Sequence, residues 1–204
     1  MYDKYYFEEY ARLTLKFVFP YPQENFFCAD KPDIQNKIDE IGIEVTRTES
    51  KTIIEREKYG SRFMGKKPTE KEIKNFGGEF LFHENGTVHG FSPTIGMTDP
   101  HVFEDISFAL KAKKKKFDSY IKFKKMGLYC FNNWFDGKLD MNKILSLDML
   151  PFDFFIIICN DTIYILENGK YRYCVLSSDQ LSNIKKTAKI YSEDKGRKNK
   201  ERLW

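Results

Sequence analysis

The sequence predicts an α/β protein with a mixed central β-sheet flanked by helices, and three segments carry that expectation. Ile41, Ile43 and Val45 alternate with Gly42, Glu44 and Thr46, the two-residue period of a strand. Phe103, Ile106, Leu110, Phe117 and Ile121 recur at helical spacing from Asp99 to about Lys125. Phe154 to Cys159 is an unbroken apolar run, as in a central strand buried on both faces.

The remaining elements follow in chain order. Residues 3 to 18 read as an amphipathic helix with Tyr6, Tyr10, Leu13 and Phe17 on one face, Glu9 at its edge and Glu8 on the far side; Pro20 and Pro22 stop it. Residues 24 to 36 and 41 to 47 read as two strands, the second placing Glu44 and Thr46 on a common face. A charged helix is expected from Ser50 to Tyr59, followed by a segment broken by Gly60, Gly65 and Pro68. Residues 79 to 91 predict a hairpin around Asn85-Gly86, a type I′ turn pair. In that register His83 faces Val88 and His89 faces Phe82, so the two imidazoles point to opposite faces and share no metal. Asp99-Pro100 supplies a cap and a first-turn proline for the long helix. Strands are expected at 127 to 134, 154 to 159, 162 to 166 and 171 to 176, the last three joined by Asn160-Asp161 and Asn168-Gly169 turns. Ser177 and Gln180 form a capping box for a final helix with Leu181, Ile184, Ala188 and Tyr191 at core spacing. Residues 1 to 194 therefore read as one domain with 50 to 98 as an insertion, and 195 to 204 as a mobile basic tail.

Composition bounds the partners. A chain of 204 residues, 41% hydrophobic and 16% aromatic, can bury one good core. The net charge of +4 is mild, but Lys111 to Lys125 concentrates eight lysines against a single acid, Asp118. Such clustering suits a polyanion. Cys28, Cys130, Cys159 and Cys174 form no Cys-x-x-Cys pair, which argues against a zinc knuckle or a disulfide scaffold and for reduced thiols in a cytoplasmic protein. No basic start with an apolar run marks a signal peptide, and no apolar run approaches the roughly 20 residues of a membrane span, so no membrane partner is expected. No Ser/His/Asp order or glycine-rich phosphate loop is present, and His101 has no obvious partner.

The chemistry concentrates in Lys31-Pro32-Asp33-Ile34 and Gly42-Ile43-Glu44-Val45-Thr46-Arg47. Magnesium takes hard oxygen ligands and is commonly held by one or two carboxylates plus a substrate phosphate, and Asp33 and Glu44 supply such a pair. A helix, a strand pair carrying Pro-Asp and Ile-Glu-x-x, a lysine-rich helix and further strands resemble the PD-(D/E)xK nuclease-like superfamily. The resemblance implies a restriction-endonuclease-like fold in which Asp33 and Glu44 bind a divalent metal, usually Mg2+, and a lysine two residues after the glutamate steadies the attacking water. Thr46 stands at that lysine position. In this superfamily such lysines migrate onto the helix packed against the sheet, and at 100° per residue Lys114 falls about 20° from Phe103, 40° from Leu110 and 20° from Ile121, inside the apolar stripe. Lys114 is therefore the expected replacement, with Lys113 at the stripe's edge and Glu9 matching an accessory acid of some members.

Arg47, Lys51, Lys111, Lys115 and Lys122, with Lys66 and Lys67, would contact nucleic acid, Phe117, Tyr120 and Phe123 interleaving with the helix lysines. Lysine-to-phosphate contacts give salt-sensitive affinity with little sequence readout. The expected function is metal-dependent hydrolysis of DNA phosphodiesters. The alternative is a catalytically inactive nuclease-fold protein that binds nucleic acid or an acidic partner, in phage defence or counter-defence; a homodimer is compatible with either.

Overall fold

The computed structural model describes residues 3–48, 51–92, 99–132 and 139–201, excepting the side chains of 51–54, 99–101 and 197–201. Helix α1 (Lys4–Thr14) opens where the Asp3 carboxylate accepts a 3.0 Å bond from the Tyr6 N–H. Strands β1 (Phe27–Cys28), β2 (Ile34–Asn36) and β3 (Ile41–Arg47) follow. An excursion then holds α2 (Lys51–Ser61), α3 (Glu70–Phe76), β4 (Glu79–Phe82) and β5 (Val88–Ser92). Helix α4 (Asp99–Lys114), strand β6 (Lys125–Asn132) and the short α5 (Met141–Leu145) lead to β7 (Phe154–Cys159), β8 (Thr162–Glu167) and β9 (Lys170–Val175). Helix α6 (Ser178–Glu201) is the last element among the described residues.

Seven strands form a mixed sheet in the order β1-β2-β3-β6-β7-β8-β9. Its centre is parallel, β3 to β6 and β6 to β7, whereas both flanks are antiparallel hairpins. Central strands read as apolar because both faces are covered. On one face Ile41, Ile43, Val45, Tyr129 and Ile156 pack with Ala11 of α1, Leu15 of the 3-10 turn after it (Leu15–Phe17), and Ile184 and Ala188 of α6. On the other, Met126, Leu128, Cys130 and Phe155 pack with Val102, Ile106 and Leu110 of α4 and Ile144 of α5. The excursion has its own small core of Phe76, Phe80 and Val88. No helix among the described residues is long and apolar enough to cross a membrane.

Several expected boundaries are corrected. Residues 24 to 36 are not one strand: a 3-10 turn (Gln23–Asn25) and the two-residue β1 precede a tight loop in which the Ala29 N–H bonds to the Asp33 carbonyl at 2.8 Å. Pro32 explains the break, since a proline has no N–H to give to the ladder. Helix α4 stops at Lys114, and Phe117–Ser119 is a separate 3-10 turn, so Phe117 and Ile121 never extend its stripe. In place of a tail from Lys195, α6 continues to Glu201. The α3 cap is the reciprocal Thr69 and Glu72 box, closed by Gly77 at φ 64°.

Candidate active site

Asp33 and Glu44 become neighbours through the β2–β3 register. Ile34 pairs with Ile43 and Gln35 with Gly42, so continuing the ladder by one residue sets Asp33 opposite Glu44. The Val45 N–H donates to Asp33 Oδ2 at 2.8 Å, the side chain replacing a ladder partner where β2 has not yet begun. Gly42 permits the approach of the loop: a Cβ there would stand 2.8 Å from the Pro32 ring and 2.7 Å from Phe123. Burial, then the charge of Glu44, pushes the half-buried Asp33 carboxyl up to about 6, against the Val45 N–H and Lys113, which lower it.

The lysine that reaches this place is Lys113, not Lys114. Lys113 Nζ donates to Glu44 Oε1 at 2.6 Å, a largely desolvated pair. Lys114 turns away and meets the exposed Asp148 at 2.6 Å. The shift from Lys114 to Lys113 has a physical cause. Counting Phe117 and Ile121 as helical, and Phe103 as fully buried, rotated the stripe by one residue; the buried row is Val102, Ile106, Ala109 and Leu110, and Lys113 continues it.

A similar rotation applies to the first helix. Glu9 is buried but is held by Arg12, whose Nε and Nη2 donate to its two oxygens at 2.8 and 2.7 Å, and Cys28 Sγ lies 3.5 Å away. Glu8 instead senses the site. It lies one row from the fully buried Ala11 and Leu15, and burial followed by the charge of Asp33 pushes its carboxyl to about 7, with Lys4 opposing at 3.8 Å. Helix α1 is covered on two sides, by the sheet and by α6, which a single apolar stripe cannot reveal.

Two buried polar atoms, Glu44 Oε2 and the Tyr120 hydroxyl, have no hydrogen-bond partner among the described residues. Burial, then the Glu44 charge, raises the Tyr120 phenol. Sequence reasoning placed Tyr120 on an outer nucleic-acid surface, yet it is 6% exposed. Phe117 packs edge-on against Phe152 at 5.2 Å, and Phe123 is pressed against Gly42. The signal for their burial was their aromatic spacing beyond the helix end.

Of the expected nucleic-acid contacts, Lys111, Lys115 and Lys122 are exposed. Lys122 Nζ sits 3.5 Å from the Phe117 ring centroid and 3.8 Å from Asp118. Arg47 stacks its guanidinium 4.8 Å over Phe7. The side chain of Lys51 lies outside the described residues, as does that of His101.

Among the described residues no three His, Cys, Asp or Glu side chains form a metal-holding group. A hard cation here would therefore rest on one or two carboxylates, the habit of Mg2+, and Glu44 Oε2, without a hydrogen-bond partner among the described residues, fits that donor set. No family model, no curated protein and no solved structure matches the chain.

Proposed function

We propose that the chain is a divergent PD-(D/E)xK-type nuclease that hydrolyses DNA phosphodiesters with a divalent metal. The 2.6 Å pair of Lys113 with Glu44, beside Asp33, carries this reading. It supplies two acids and one lysine in the roles that the resemblance requires, although the lysine arrives from α4 and Thr46 holds the strand position. The β2–β3 hairpin, the crossover helix α4 and parallel β6 agree with the expected order of elements.

Asp33 and Glu44 would hold Mg2+, which supplies charge neutralisation and a more acidic bound water when present. Lys113, already aimed at Glu44, can also donate to an oxygen of the attacking water or the phosphate. Glu8, with its carboxyl near 7, exchanges protons close to neutral pH, the range in which general acid or base catalysis is most effective. The lysines on the outside of α4 and beyond would hold the strand through its phosphates.

A second reading, a binding protein without chemistry, has its own support: Lys113 neutralises Glu44 with no cation required, and Thr46 lacks the strand lysine's ammonium. Incubating the full chain with single- and double-stranded DNA and RNA in Mg2+ or Mn2+ separates the two. Cleavage that falls by about 100-fold or more in Asp33→Asn, Glu44→Gln and Lys113→Met, but not in Lys114→Met, is the expected result. Retained nucleic-acid binding with no cleavage of any substrate establishes the binding protein instead.

A further inference from the structure

The hairpin of β4 and β5 departs from its expected register. Phe80 pairs with Phe91 and Leu81 with Gly90, but Phe82 then pairs with Val88, leaving His89 as an extra residue in a bulge. The turn is closed by the His83 N–H to the Thr87 carbonyl at 2.8 Å and the Gly86 N–H to the His83 carbonyl at 2.9 Å. One extra residue reverses the parity of His89. The two imidazoles, expected on opposite faces, therefore meet with ring centroids 4.7 Å apart and planes inclined by 46°.

We propose that His83 and His89 chelate a late first-row divalent transition metal ion, Zn2+ or Cu2+, through one nitrogen of each ring. With metal–nitrogen bonds of about 2.1 Å, two imidazoles in adjacent coordination positions bring their centroids to roughly 4.5–5.2 Å, the separation seen here. Both side chains are exposed, so an ion reaches them from solvent, and water or a second molecule completes the coordination. The hairpin is anchored to the rest of the excursion. The Gly65 N–H bonds to the Val88 carbonyl at 2.8 Å, the Val88 N–H bonds to the Lys66 carbonyl at 2.9 Å, and Val88 and Phe80 are buried in the excursion's core. Imidazole selects Zn2+, Ni2+ and Cu2+ over Mg2+, which sets this site apart chemically from the carboxylates of Asp33 and Glu44.

Titration of the full, chelator-treated chain with ZnCl2 and with CuCl2 by calorimetry tests the assignment. One binding event is expected to weaken about tenfold or more in His83→Ala and again in His89→Ala, since even outer partners of metal ligands are worth that much. Cu2+ binds more tightly than Zn2+, and Glu44→Gln leaves the event intact. Far-UV circular dichroism of these exposed-site variants is expected to match the parent chain. Histidine variants that bind both ions as the parent does, through thiols or carboxylates, overturn the proposal.

Discussion

Lys113 and Glu44, 69 residues apart in the chain, meet at 2.6 Å because the parallel pairing of β3 and β6 draws the end of α4 across the sheet. The pair is tight and mostly desolvated, so removing one member leaves the other charge uncompensated. Lys113→Met is expected to lower stability at pH 7.5 by roughly 2–4 kcal/mol, somewhat below the range for a fully buried pair. Lys114→Met, which breaks only an exposed contact, should cost under about 1 kcal/mol. Urea denaturation of both variants checks the contrast, and equal losses would return Lys114 to the site.

Glu8 and Asp33 give the stability a defined pH dependence. Both carboxyls are raised, to about 7 and about 6, from ordinary values of 4.5 and 3.8. The folded state thus holds protons that the unfolded chain has released. Their contribution is fully present below the ordinary values and is lost as pH rises through 6 to 7. Glu8→Gln should raise Tm at pH 8 and leave it nearly unchanged at pH 4, on a scale where 1 kcal/mol moves a domain of this size by about 2–4 °C. A Tm difference that is the same at both pH values contradicts the assignment.

Gly42→Ala should destabilise the fold by about 1–3 kcal/mol, because the new methyl would meet the Pro32 ring and Phe123 at under 3 Å. It should also weaken Mg2+-dependent stabilisation, since Pro32 carries Asp33. Gly196→Ala is the control: among the described residues nothing beyond the helix's own backbone and its chain neighbours lies within 4 Å of its Cβ position, and alanine there favours α6 by up to about 1 kcal/mol. Thermal melts with and without Mg2+ compare the two.

The exposed lysines lead to a salt-dependence measurement. If Lys111 and Lys115 each neutralise one phosphate, Lys111→Gln with Lys115→Gln should reduce the slope of log K against log salt by about 2 for duplex DNA. Fluorescence anisotropy across a salt series reads this directly. An unchanged slope places the DNA elsewhere on the surface.

The sheet was readable from the sequence wherever an element carried its own signal. The run at Phe154–Cys159, the Asn168-Gly169 turn with both residues at positive φ, and the alternation of β3 all stand as expected. Site residues on helices were less legible because a helix is read by one stripe, whereas α1 is buried on two sides and α4 ends earlier than its aromatic spacing implied. In each case the geometry differs from the expectation by a single residue: Lys113 rather than Lys114 meets Glu44, and Glu9 is taken up by Arg12 while Glu8 lies in reach of the Asp33 charge. The pairing of His83 with His89 was hidden for another reason: a bulge changes parity without altering composition.

Parallel pairing of β3 with β6 obliges the chain to travel the full length of the sheet before it can return. The elements α2 to β5 ride on that unavoidable passage. Because closing a loop costs only about 0.6 kcal/mol more for each doubling of its length, this passage can be extended or exchanged at small thermodynamic expense. Asp33, Glu44 and Lys113 all lie outside α2 to β5. The excursion is therefore a natural place for grafting: a foreign hairpin or recognition module set between β3 and α4 would alter what the protein meets while leaving its acids and lysine where they are.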